Sequence, residues 1–152
     1  MQTDGAGNVS WANPNAAMSL SRANVSVNQN LAATGWQKII FDVELFDLNL
    51  EYTPASGRFT ALKTGYYRVN AGFHTNSMAN TQFYSIGVFK NGIQYQETTE
   101  NHFNNGPVTR NITCVVALAA GEYIEIFVQN YQAGAQIDSF AAKSFFEVEQ
   151  IR

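Results

Sequence analysis

Two histidines, one cysteine and twelve carboxylates are the side chains of this 152-residue sequence that could do acid–base, nucleophilic or metal chemistry. Their spacing argues against most of it. His74 and His102 each border a predicted loop, and neither falls in a His-x-x-His, His-x-x-x-His or Cys-x-x-Cys pattern. There is no Gly-x-Ser-x-Gly elbow to expose a nucleophile and no phosphate-binding glycine loop. The two histidines are therefore not expected to meet a carboxylate or Cys114 in a closed pocket. Cys114 has no internal partner for a disulfide. It shares phase with Ile112, Val116 and Leu118, as a small buried apolar residue does. Asp42 and Glu44 share one face of a predicted strand, with Asp47 close by, and Glu122 and Glu125 also lie close together. The first pair is a candidate for calcium, although no loop has the dense carboxylate pattern such a site wants. The expectation is a protein that is not an enzyme and has no cofactor, calcium at Asp42 and Glu44 being the one metal to consider.

The elements that must position these residues read as strands. Tyr67, Val69, Ala71 and Phe73 alternate with Tyr66, Arg68, Asn70, Gly72 and His74, and period-two alternation marks a half-buried strand. Pro54 with Ser56-Gly57, and Lys63-Thr64-Gly65, punctuate the chain before it. Similar runs span Met18–Asn28 (an edge strand), Trp36–Leu45, Phe83–Lys90, Ile93–Thr99, Arg110–Leu118, Tyr123–Tyr131 and Lys143–Arg152. Asn91-Gly92 predicts a two-residue hairpin with both residues at positive φ. His74–Thr81 and Asn101–Pro107 read as loops. No helix is convincing. Short strands at regular intervals imply an all-β sandwich or barrel. The expected core includes Val69, Ala71, Phe73, Ile86, Val88, Ile112, Cys114, Val116, Leu118, Ile124, Ile126 and Val128. Residues 1–17, with Trp11 and Pro14, read as a linker or N-terminal arm, and 18–152 as one domain.

Charged residues make up 14% of the chain, against about 25% in an ordinary soluble domain. With many aromatics, this argues for surface covered by a partner. A net charge of −3 offers no basic footprint for nucleic acid, and no stretch is apolar for long enough to insert in a membrane. Residues 1–30 are polar and show no secretory signal. That favours a virion part, or a piece of a longer protein.

The stretch Phe41 … Tyr52-Thr-Pro-Ala-Ser-Gly57-Arg-Phe59-Thr-Ala61 … Gly65-Tyr-Tyr67 resembles the signature of C1q/TNF-like jelly-roll domains. Leu62 stands where that family usually has proline. Tyr84–Gly92, ending in Lys-Asn-Gly, Leu118–Glu122 and Ser144-Phe145-Phe146 are similar to later strands of the family. The likeness runs from Trp36 to Arg152. It implies an antiparallel two-sheet jelly-roll sandwich that forms a homotrimer around an apolar threefold axis. It also implies that Tyr66–His74, Arg110–Leu118 and Lys143–Arg152 lie in the inner sheet, and that some relatives bind calcium. Gly72, Thr113, Val115, Ala117 and Phe145 are then candidates for the trimer interface. Tyr123 and Phe127 join them because both faces of their strand carry apolar residues, which needs both to be covered.

The functional expectation is a non-catalytic trimeric module at the tip or surface of a phage or bacterial fibre, located on a virion or extracellular surface. Its polar lead-in resembles the start of phage fibre tip domains. Its apical loops would recognise a host-surface glycan or protein through His74, Asn76, Asn80, His102, Phe103, Asn104 and Asn105. One alternative is a secreted C1q/cytokine-like ligand engaging a protein receptor. Another, an enzyme on a cupin-like scaffold, would need more histidines than two.

Overall fold

Alternating apolar residues force the chain into strands that hide one face each, and two such sheets can bury those faces only against each other. The computed structural model describes residues 2–3, 9–10, 18–32, 34–79 and 82–151. Its strands in chain order are β1 (Gln2–Thr3), β2 (Val9–Ser10), β3 (Leu20–Asn24), β4 (Gln29–Asn30), β5 (Trp36–Lys38), β6 (Val43–Asp47), β7 (Tyr52–Thr53) and β8 (Arg58–Thr60). There follow β9 (Gly65–Met78), β10 (Gln82–Lys90), β11 (Ile93–His102), β12 (Gly106–Leu118), β13 (Tyr123–Asn130), β14 (Gln136–Ile137) and β15 (Phe145–Ile151). Among the described residues the one helical element is a 3-10 turn, Pro54–Ser56, and no helix is long and apolar enough to cross a membrane.

One sheet orders β12, β9, β15, β3 and β6, with β14 and β4 beside the far end of β9. The other orders β11, β10, β13, β8 and β7, with β5 also on β13. All pairings are antiparallel. The architecture is the all-β, two-sheet jelly roll expected. The three runs assigned to one inner sheet lie side by side there as β12, β9 and β15. All twelve expected core residues are buried. β1 and β2 form a separate antiparallel pair. Trp11 and Pro14 lie outside the described residues.

Four expectations need correction. Met18–Asn28 is not an edge strand: β3 lies between β15 and β6, and β6 forms the edge. Trp36–Leu45 is not one strand, because the chain changes sheets within it. β5 joins one sheet, β6 the other, and Ile39 and Phe41 are wholly buried at the crossing. His74–Thr81 is largely strand, since β9 continues to Met78, with Thr75 and Met78 buried. Gly65 begins β9 opposite Leu118 rather than sitting in a turn.

The turns at the other glycines are as expected. Gly57 caps the 3-10 turn at φ 61°, and a Cβ there would stand 2.8 Å from the Ile39 carbonyl oxygen. Asn91 and Gly92 have φ 51° and 78° and close the hairpin between β10 and β11. Glu122 fastens that hairpin to the β12–β13 turn through two contacts, and a third braces the turn itself. Glu122 accepts hydrogen bonds from Lys90 Nζ at 2.8 Å, Asn91 Nδ2 at 2.7 Å and the Ala119 N–H at 2.8 Å. These donors, Lys90 foremost, hold the Glu122 carboxyl at about 2, below its ordinary value. A depressed folded pKa gives stability that is present above the ordinary value and lost as the group protonates in the folded state. The thermal midpoint should therefore fall as pH drops from about 4.5 to about 2. In Glu122→Gln that part of the slope should be missing. Equal slopes by calorimetry in the two proteins would contradict it. The group is at the surface, so the effect is modest and shrinks with added salt.

Candidate functional site

The strand directions sort the candidate residues by end. Leu20 pairs with Glu149, Ile151 with Tyr66, and Leu118 with Gly65, so the chain enters and leaves its sheet at one end. From there β9 rises through its fourteen residues, roughly 40 Å at about 3.3 Å per residue. It finishes with Met78 opposite Gly106. β10 begins at this far end with Gln82 opposite His102. The end of β9 and the segment after β11 thus lie together, at the end remote from where the lead-in joins.

Most of the predicted loop set gathers there. His102 closes β11, its ring edge-on to Tyr84 at 5.8 Å, and its Nε2 is buried with no hydrogen-bond partner among the described residues. Phe103 is 70% exposed, and Asn104 and Asn105 are exposed beside it, Asn104 at φ 110°. The expected loop Asn101–Pro107 shrinks to residues 103–105, because β11 and β12 run into it from both sides. Asn80 lies outside the described residues. His74 and Asn76 belong to β9 and sit lower. Asn76 is tied to Gln136, its Nδ2 donating at 3.1 Å and its Oδ1 accepting the Gln136 N–H at 3.2 Å.

His74 has a partner that its sequence neighbours do not suggest. Its Nε2 stands 3.5 Å from Asp138 Oδ2 and its Nδ1 2.8 Å from Thr109 Oγ1. Phe140 packs edge-on to the ring at 6.3 Å. The group lies on the outward face of the sheet rather than in a closed pocket, and it fastens the 138–144 segment to β9. His102 and Cys114 take no part in it. Cys114 is buried in the core, and burial pushes its thiol up.

Calcium has little to hold it at the expected place. Burial opposes ionisation of Asp42, but the hydroxyl and N–H of Ser26 hold its carboxyl below the ordinary value and occupy both of its oxygens. Among the described residues no three His, Cys, Asp or Glu side chains come together as metal ligands.

The seven interface candidates divide between two opposite surfaces. Thr113, Val115, Ala117 and Phe145 line the outward face of the β12–β9–β15 sheet, and Val115 is 49% exposed. Gly72 lies on the same face but is buried beneath Asn111 and Phe145 of its own chain. That face is less apolar than the resemblance implies. Arg22 pairs with Glu147, Arg68 with Glu149, and Asn70 Nδ2 donates to Glu147 at 2.7 Å. An open depression of about 410 Å³ lies among Leu20, Phe46, Arg68, Asn70, Thr113 and Glu149.

Tyr123 and Phe127 are on the other sheet, facing away. Each is covered from within the chain. The Arg58 guanidinium lies 3.8 Å over the Tyr123 ring, and Phe127 stacks on Phe89 at 4.2 Å with Trp36 edge-on to Phe89. Between them Glu125, 4% exposed, accepts from both Lys38 and Arg58 at 3.0 Å. The second apolar face of β13 is therefore satisfied by neighbouring strands.

A family profile described as the C1q domain matches residues 23–147, most of the chain. The chain belongs to the C1q domain family. No curated protein matches it significantly. Among solved structures, this C1q domain is similar to murine APRIL at pH 5.0. That match has a TM-score of 0.70 and 10% identity and covers 88% of this chain and 99% of that one. It is also similar to the Eiger TNF of S. frugiperda, with a TM-score of 0.59, 14% identity, and coverage of 89% and 92%. Identities this low show a shared fold. Domains of the C1q/TNF-like class are typically trimeric, non-enzymatic binding modules.

Proposed function

We propose that this C1q domain works as a homotrimer at the tip or surface of a phage or bacterial fibre, and that its distal end recognises a glycan or protein on a host surface. The observation that carries this reading is the polarity of the fold. The polar lead-in joins at one end of the sandwich, and the segment around Phe103, Asn104 and Asn105 stands at the other. A stalk on the lead-in would hold those residues outward, on short loops braced by long strands. The trimer contact falls on the outward face of the β12–β9–β15 sheet and on β6 at its edge. Exposed Leu45, Phe46, Tyr66 and Val115 on these strands are the kind of surface a partner covers. Threefold closure leaves no open ends, and it sets three distal ends side by side. Weak contacts then add at high effective concentration. Calcium plays no part in this reading. The protein is expected to run at three times its 16.8 kDa chain mass in light scattering at micromolar concentration. A monomer under those conditions would defeat the trimer.

A secreted, cytokine-like ligand for a protein receptor would use the same trimer. Membership of the C1q family suits it equally. Binding to host-surface glycan but to no host-surface protein would decide against it.

A further inference from the structure

The sheet that faces away from the proposed trimer contact carries an open aromatic pair near its distal end. Phe83 and Tyr131 are 48% and 49% exposed, their rings edge to face with centroids 6.5 Å apart. This differs from the other aromatics of the same face, where Phe127 is stacked on Phe89 and Tyr123 lies under Arg58. Neutral hydrogen-bonding groups surround the pair. Asn101 lies opposite Phe83, and Gln129 lies between Ser85 and Trp36 in the next row. These two rows hold no charged side chain. Charge belongs to the third, where Glu97 and Lys38 flank Gly87 and Phe127, and the Glu97 carboxylate reaches back to accept from Thr99 of the second.

We infer that Phe83 and Tyr131 form a stacking site for a neutral glycan, with Asn101 and Gln129 as its polar contacts. The chemistry fits the ligand part by part. One face of a pyranose ring presents C–H groups, which an aromatic face covers without leaving polar atoms dry. Its equatorial hydroxyls point sideways, where amides can both donate and accept. An acidic sugar would find no counter-ion in these rows and would meet the Glu97 carboxylate at their border. A protein partner usually brings a wider apolar core with an Arg or charged rim, and this pair is narrow and wet. The phenol of Tyr131 adds one more hydroxyl for the same purpose. The site rests on the fibre-tip reading, since it lies near the distal end and on the sheet that the trimer leaves open.

The test uses the full chain on an array of neutral oligosaccharides built from glucose, galactose, mannose and N-acetylglucosamine. Wild type should bind at least one of them. Phe83→Ala with Tyr131→Ala should weaken that binding by ten-fold or more. Phe83→Tyr and Tyr131→Phe, which keep both rings, should bind within two-fold of wild type and so separate ring loss from misfolding. His102→Ala with Phe103→Ala tests the distal segment of the proposed function separately. No binding by the wild type, or binding that survives loss of both rings, overturns the site. If the His102/Phe103 variant alone loses the glycan, the apical loops are the receptor surface, and the fibre-tip reading stands without this site.

Discussion

Replacing Phe146 with alanine should lower stability by about 3–5 kcal/mol, the usual cost of removing a buried phenyl ring. Phe146 is 1% exposed. Its ring lies 5.7 Å from Phe41 and 5.7 Å from Tyr52, centroid to centroid. The three residues come from different places: β15 in one sheet, β7 in the other, and the crossing between the sheets. Tyr52 also donates its hydroxyl to the Phe41 carbonyl at 2.7 Å, and burial raises its pKa well above the ordinary tyrosine value. The ring of Phe146 therefore fills the seam where the sheets are joined, and little nearby can relax into the space. The denaturation midpoint should fall accordingly, with an unchanged slope if the unfolding stays two-state. A loss below about 1 kcal/mol would mean that the seam repacks and that the cluster is not central.

The second large effect is on assembly. Ala117→Asp should turn the trimer into a monomer at micromolar concentration while leaving the far-ultraviolet circular dichroism unchanged. Ala117 is exposed within the single chain, opposite Tyr66, which is itself 64% exposed. A carboxylate there is solvated in the monomer and meets two copies of itself when three chains close. Burying an unpaired charge costs on the order of 3–5 kcal/mol. Val115→Asp should be the milder change, because Val115 lies directly opposite Arg68 and a cation is at hand. Light scattering on both variants checks the order. A trimer that survives Ala117→Asp would remove this face from the contact.

The core was legible in the chain because burial follows the pleat. Ile112, Cys114, Val116 and Leu118 alternate with exposed Thr113, Val115 and Ala117, in sequence and in space alike. The change of sheet between Lys38 and Val43 was not, since Ile39 and Phe41 keep the same alternation whether the strand continues or crosses over. His74–Thr81 looked like loop for its Asn, Ser and Thr content. Those side chains suit a strand end equally when its backbone pairs on both sides, as β9 does with β12 and β14. The partnership of His74 with Asp138 joins residues 64 positions apart, and no local spacing encodes it. The neighbours of Tyr123 and Phe127 were hidden for a related reason. An aromatic on the outer face of a strand reads as uncovered until the cross-strand neighbours, here Arg58 and Phe89, are known.

The place of β15 bears on how the molecule is made. It lies between β3 and β9, so residues 145–151 separate strands that are synthesised far earlier. Until residues 145–151 have emerged from the ribosome, β3 lacks one flank and the middle of the sheet is a gap. The hairpin β10–β11 can form as soon as it emerges, and β12 can then pair with β9. The sheet of β9 and β12 must wait with unpaired edges, which are the sites where nascent β proteins associate wrongly. Pairing the first long strand with the last also gives the longest loop closure the chain allows, the kind of contact that slows folding. The decisive step in folding this domain therefore waits for residues 145–151, and losing that one strand would take away the centre of a sheet rather than its rim.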